Sequence, residues 1–93
     1  MMLETIIEIE SLKQFTLLLT KNPGLLIIKF GADWCSPCKR IESLVNEWFM
    51  KMPNNVQTIL VNIDKSIEIY SYLKNKKMLN GVPCILMYKK GNL

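Results

Sequence analysis

Cys35 and Cys38 stand two residues apart in Trp34-Cys35-Ser36-Pro37-Cys38-Lys39. Thiols at that spacing can close a small disulfide ring when the first lies at a helix start and the second in its first turn. The first then meets free backbone N–H groups and the positive end of the helix dipole, both of which favour its thiolate. Cys35 is therefore the expected exposed nucleophile, and Cys38, one turn deeper, the resolving thiol. Pro37 suits a first-turn position, where its missing N–H is no loss, and it stiffens the ring. Trp34, in the loop before the nucleophile, offers a flat apolar shelf to an incoming chain. Half a zinc site is the competing chemistry, but the chain has three cysteines and no histidine. Cys84 would bring the ligands to three of the usual four, so no metal is expected.

The elements that must position this pair alternate along the chain. Thr5 to Glu8 reads as a short strand. Ser11 followed by Gln14 is a capping-box signature opening a helix with Leu12, Phe15 and Leu19 on one face, and Pro23-Gly24 ends it. Leu25 to Phe30 is apolar except for Lys29, as suits an interior parallel strand covered on both faces. After the turn at Gly31 to Asp33, Ile41, Leu44, Val45, Trp48, Phe49 and Met52 form the strongest helical stripe in the chain. Pro53-Asn54-Asn55 stops that helix, and Val56 to Asn62 resumes a β-type run. Ile67, Tyr70 and Leu73 suggest a short helix, Asn75 to Gly81 a polar loop, and Cys84 to Tyr88 a last strand before the turn at Lys90-Gly91-Asn92. This order predicts an α/β fold, a three-layer sandwich with right-handed crossovers between parallel strands.

With 93 residues, 49% of them apolar and 22% charged, residues 1–93 are expected to form a single small domain. The net charge of +4 includes the close-set Lys74, Lys76 and Lys77. They are read as a solvated loop and not as a nucleic-acid footprint, because no basic recognition helix or aromatic-interleaved strand accompanies them. No apolar run approaches the roughly 18–20 residues of a membrane span. Nor does Met1-Met2-Leu3-Glu4 open a secretory signal, so reducing cytoplasm is the expected compartment.

Together, Phe30-Gly31-Ala32-Asp33-Trp34-Cys35-Ser36-Pro37-Cys38-Lys39, Asn62-Ile63-Asp64 and Gly81-Val82-Pro83-Cys84, followed by Ile85 to Gly91, resemble the thioredoxin family over essentially the whole chain. The resemblance implies a thioredoxin-like sandwich with a mostly parallel central sheet, here stopping before the family's last strand and helix. It also implies a cis peptide bond from Val82 to Pro83, lying against the cysteine pair and leaving the Val82 backbone free to pair with an extended substrate. The implied activity is reduction of protein disulfides through Cys35 and Cys38, without metal or organic cofactor. Electrons would come from a thioredoxin reductase or a glutathione-linked system. A binding module on the same scaffold, with a structural or regulatory cysteine pair, is the alternative.

Departures from the family pattern fall close to the pair. Lys29 stands where thioredoxins usually bury an aspartate beneath the resolving cysteine, and Leu60 replaces that aspartate's lysine partner. The ammonium can favour a thiolate by charge attraction, or reach solvent and leave Cys38 untouched. Ser36 replaces a glycine and adds a hydroxyl able to tune the potential, and Ser43 replaces a helix-kinking proline. Cys84 replaces a threonine. It is either a small apolar residue or close enough to Cys38 to make an alternative disulfide. The segment from Asp64 to Pro83, with its three lysines, is longer than the family's and borders the expected substrate groove, where its charge would alter partner choice. A chain truncated at this point would leave the fourth strand with a bare edge, favouring self-association.

Overall fold

The computed structural model describes residues 3–90. In chain order the elements are α1 (Leu12–Thr20), β1 (Leu25–Gly31), α2 (Ser36–Met50), β2 (Val56–Asn62), α3 (Ile67–Asn75) and β3 (Cys84–Lys89). The strands form one sheet in the order β2-β1-β3. β1 is central, and Leu26 through Phe30 are all buried, which is why this run is apolar without alternation.

α1 begins as its sequence signature predicts. The Ser11 hydroxyl accepts from the Gln14 N–H at 3.1 Å, while the Gln14 side-chain oxygen Oε1 accepts from the Glu10 N–H at 2.7 Å. Pro37 occupies the first turn of α2, and the helix is unbroken past Ser43. Its apolar stripe divides, however. Val45 and Phe49 are buried against Ile27 and Val56, whereas Leu44 is 68% exposed and Trp48 39%.

Two expectations require correction. Thr5 to Glu8 is not a strand: Ile6 alone makes a parallel bridge, donating to the Thr58 carbonyl and accepting from the Leu60 N–H. Ile7 beside it is 74% exposed and flanked by exposed Glu8, so little apolar burial holds the segment to the sheet. The strands are also not uniformly parallel. β1 and β2 are parallel with Lys29 opposite Leu60, but β3 runs antiparallel to β1. After α3 the chain returns to the C-terminal end of β1, where Cys84 pairs with Phe30, so no crossover to the far end of the sheet takes place.

The sheet pleat separates two cores. Leu26, Ile28 and Phe30 join Phe15, Ile69, Leu73 and Tyr88 on the face covered by α1 and α3. Ile27 and its odd-numbered neighbours face α2. The turn at Lys90-Gly91-Asn92 lies only partly within the described residues.

Candidate active site

β1 ends at Gly31, and four residues later Cys35 caps α2 in extended conformation, with φ −89° and ψ 104°. Its Sγ accepts a hydrogen bond from the Cys38 N–H at 3.2 Å. This is the interaction that favours negative charge on a sulfur at a helix start. Cys35 and Cys38 form a disulfide with their Cα atoms 5.2 Å apart. The ring leans on the end of β1, where a Cβ added at Gly31 would lie 3.5 Å from Cys38 Sγ.

Cys35 is less open than expected. In the disulfide form the residue is only 4% exposed, equal to Cys38. Trp34 is the accessible member of the motif at 67%, with its indole N–H donating to Asp64 Oδ2 at 2.9 Å. That bond orients the ring from the far side of the loop. Asp64 lies in the Asn62-Ile63-Asp64 segment, but nothing in its type or spacing marked it as the partner of Trp34.

The Val82–Pro83 bond is cis. Cys84 pairs with Phe30, so Pro83 stands at the level of Gly31, beside the strand end that carries the disulfide. Among the described residues no backbone hydrogen bond outside the helices and strands engages Val82. Cys84 itself is free and half-buried. It shares the face of Phe30 and packs against the core cluster that also holds Cys35 and Cys38. Burial raises the Cys84 thiol above its ordinary 9.0, which disfavours the reactive thiolate.

Lys29 lies one residue before Phe30 and faces α2. It is 8% exposed and lines a cleft of about 290 Å³ together with Gly31, Asp33, Cys38, Lys39 and Glu42. Lys74 and Lys76 are folded over the rings of Tyr70 and Tyr72 on their own helix, at 5.7 and 5.6 Å from the centroids.

A disulfide closed over the start of a helix at the end of a central strand, beside a cis proline, defines an α/β thiol–disulfide exchange protein. The thioredoxin family model matches residues 6–93. A thioredoxin of Mycoplasma pneumoniae is 34% identical over 87 residues, covering 90% of this chain and 76% of the relative. One from Rickettsia bellii is 28% identical over 79 residues, covering 85% and 71%. Among solved structures, oxidised mitochondrial thioredoxin 3 from Saccharomyces cerevisiae superposes with a TM-score of 0.77 at 26% identity, covering 94% of this chain and 76% of that one. The chain belongs to the thioredoxin family, and its Cys35–Cys38 pair is that of a disulfide oxidoreductase.

Proposed function

We propose that this protein reduces disulfides in other proteins, in a reducing compartment such as the cytoplasm, drawing electrons from a thioredoxin reductase or a glutathione-linked donor. The observation that carries the reading is the helix-capping Cys35–Cys38 disulfide with its sulfur already accepting a backbone N–H. In the reduced protein, Cys35 thiolate attacks a substrate disulfide, forming a mixed disulfide and releasing one substrate thiolate. Cys38 then attacks Cys35 Sγ, and the second substrate thiol leaves. Trp34, Ser36, Pro37, Val82 and Pro83 form the docking rim: exposed Trp34 supplies apolar area, and the Val82 backbone supplies hydrogen bonds that depend little on substrate side chains. Lys74, Lys76 and Lys77, at the end of α3 and just past it, bias encounter toward acidic partners.

The test is insulin reduction with dithiothreitol as electron source. The parent should accelerate precipitation of the insulin chains, and Cys35→Ser should fall to the rate of dithiothreitol alone. Equal rates for the two would support the alternative of a binding module with a structural cysteine pair.

A second surface supports self-association. Among the described residues β3 is an edge strand, and Ile85 forms an apolar groove with Ile41, Leu44, Val45 and Trp48. Pairing of β3 edges between two copies would cover both.

A further inference from the structure

Four polar side chains are buried: Asn22, Lys29, Thr58 and Ser66. Three of them are partnered. Asn22 donates to the Tyr88 carbonyl at 2.7 Å, Thr58 meets the Thr5 hydroxyl at 2.7 Å, and Ser66 donates to the Ile9 carbonyl at 2.8 Å. Lys29 has neither a hydrogen bond nor an ion pair among the described residues, where the one ion pair joins Lys51 to Glu47. Among the described residues only the Tyr88 hydroxyl is fully buried with no partner, so the Lys29 ammonium keeps some exposure. Lys29 lines the cleft that Cys38 also lines.

The strand fixes the face from which this side chain leaves. Lys29 and Gly31 are two residues apart on β1 and share its α2 face, about 7 Å apart along the strand. Cys38 Sγ lies 3.5 Å from the position of a Gly31 Cβ. The other charged groups around the cleft are Asp33 from the loop and Lys39 and Glu42 from α2, one cation against two carboxylates. β2 contributes only Leu60, Val61 and Asn62, and the N-terminal segment Ile7. Lys29 is the sole buried cation of the set.

We infer that Lys29 is a positioning residue that favours the Cys38 thiolate by charge attraction, as the buried charge of a cleft whose carboxylates, Asp33 and Glu42, are exposed to solvent. The inference rests on the oxidoreductase reading above and concerns its second step. The Cys38 proton leaves to water through the cleft. Cys38 Sγ then forms a bond to Cys35 Sγ, the bond from Cys35 to the substrate sulfur breaks, and its electron pair departs on the substrate thiolate, which takes a proton from water. Both protein thiols are oxidised and the substrate disulfide is reduced. One ammonium at several ångströms in a partly hydrated cleft shifts a thiol titration by on the order of one pH unit, a tenfold change in thiolate.

The experiment places Cys38 alone, in a Cys35→Ser/Cys84→Ser background, and follows thiolate absorbance at 240 nm against pH. With Lys29→Met or Lys29→Gln the midpoint should rise by about one unit, and Lys29→Arg should restore it. In the two-cysteine protein, Lys29→Met should shift the equilibrium with glutathione toward the disulfide by close to tenfold, about 30 mV, at a pH above both measured Cys38 midpoints, and hardly at all at a pH below both. An unchanged midpoint in both neutral variants, or a shift equal at the two pH values, overturns the inference. If Lys29→Met does not fold, Lys29→Gln carries the comparison. Insulin reduction by the parent is read separately: its absence would remove the oxidoreductase reading while leaving the Cys38 titration to decide the electrostatics.

Discussion

At the residue scale, the site depends on charges and polar groups whose value changes with the state of the sulfurs. Lys29 illustrates the conflict. A buried cation without a partner among the described residues opposes folding, since desolvating an ammonium is unfavourable. Lys29→Met keeps the length of the side chain and removes that penalty, so it should stabilise the fold by on the order of 1 kcal/mol, read from urea midpoints with unchanged slope. The same variant should weaken the second step of exchange, a stability–activity opposition expected where a residue is kept for chemistry. Lower stability in Lys29→Met would mean that the stem's packing outweighs the ammonium's desolvation. The cysteine pair was readable from spacing alone, because helix-end chemistry is local. The indole–Asp64 bond and the low exposure of Cys35 were not, because both depend on where the loop after β2 lies relative to the loop after β1.

At the scale of elements, the capping box of α1, the buried run of β1 and the stop after α2 were legible because each is a local pattern. The direction of β3 was not. Its alternation identifies a strand, but parallel and antiparallel pairing differ only in how the preceding connection returns the chain, which no residue type announces. Nor did the stripe on α2 reveal that it serves two surfaces. Val45 and Phe49 belong to the core, whereas Leu44 and Trp48 line the groove that ends at Ile85 on β3, an edge strand among the described residues. Met87, 56% exposed on the same face as Ile85, extends the apolar strip along that edge. A long apolar edge is a template for strand pairing unless charge interrupts it. Sedimentation velocity should therefore show a concentration-dependent dimer in the parent, shifted to monomer by Met87→Lys, which places an ammonium in the strip. A parent that remains monomeric at the highest soluble concentration would remove the self-association reading.

At the scale of the whole molecule, Tyr88 joins β3 to the helices on the sheet's other face and couples their packing to pH. Its ring meets Phe15 of α1 edge-on at 6.2 Å, and its carbonyl accepts from Asn22 at the entry to β1. Its hydroxyl is buried without a partner. Burial raises the Tyr88 phenol above its ordinary 10.0, with further contributions from the charges that Cys84 and Tyr72 would carry when ionised. Cys84 is raised above 9.0 by burial. For both groups the folded state holds its proton more tightly than the unfolded chain. Their contribution to stability is therefore complete below the unfolded values and is lost as pH rises from about 9 through the folded ones. Urea denaturation at successive pH values should show this alkaline decline in the parent. Tyr88→Phe should be more stable at pH 7 by on the order of 1 kcal/mol, because an unpaired buried hydroxyl is removed while the ring is kept. It should also decline less above pH 10, because the phenol no longer ionises in the unfolded chain. An alkaline decline identical in parent and Tyr88→Phe would assign that loss of stability to other groups.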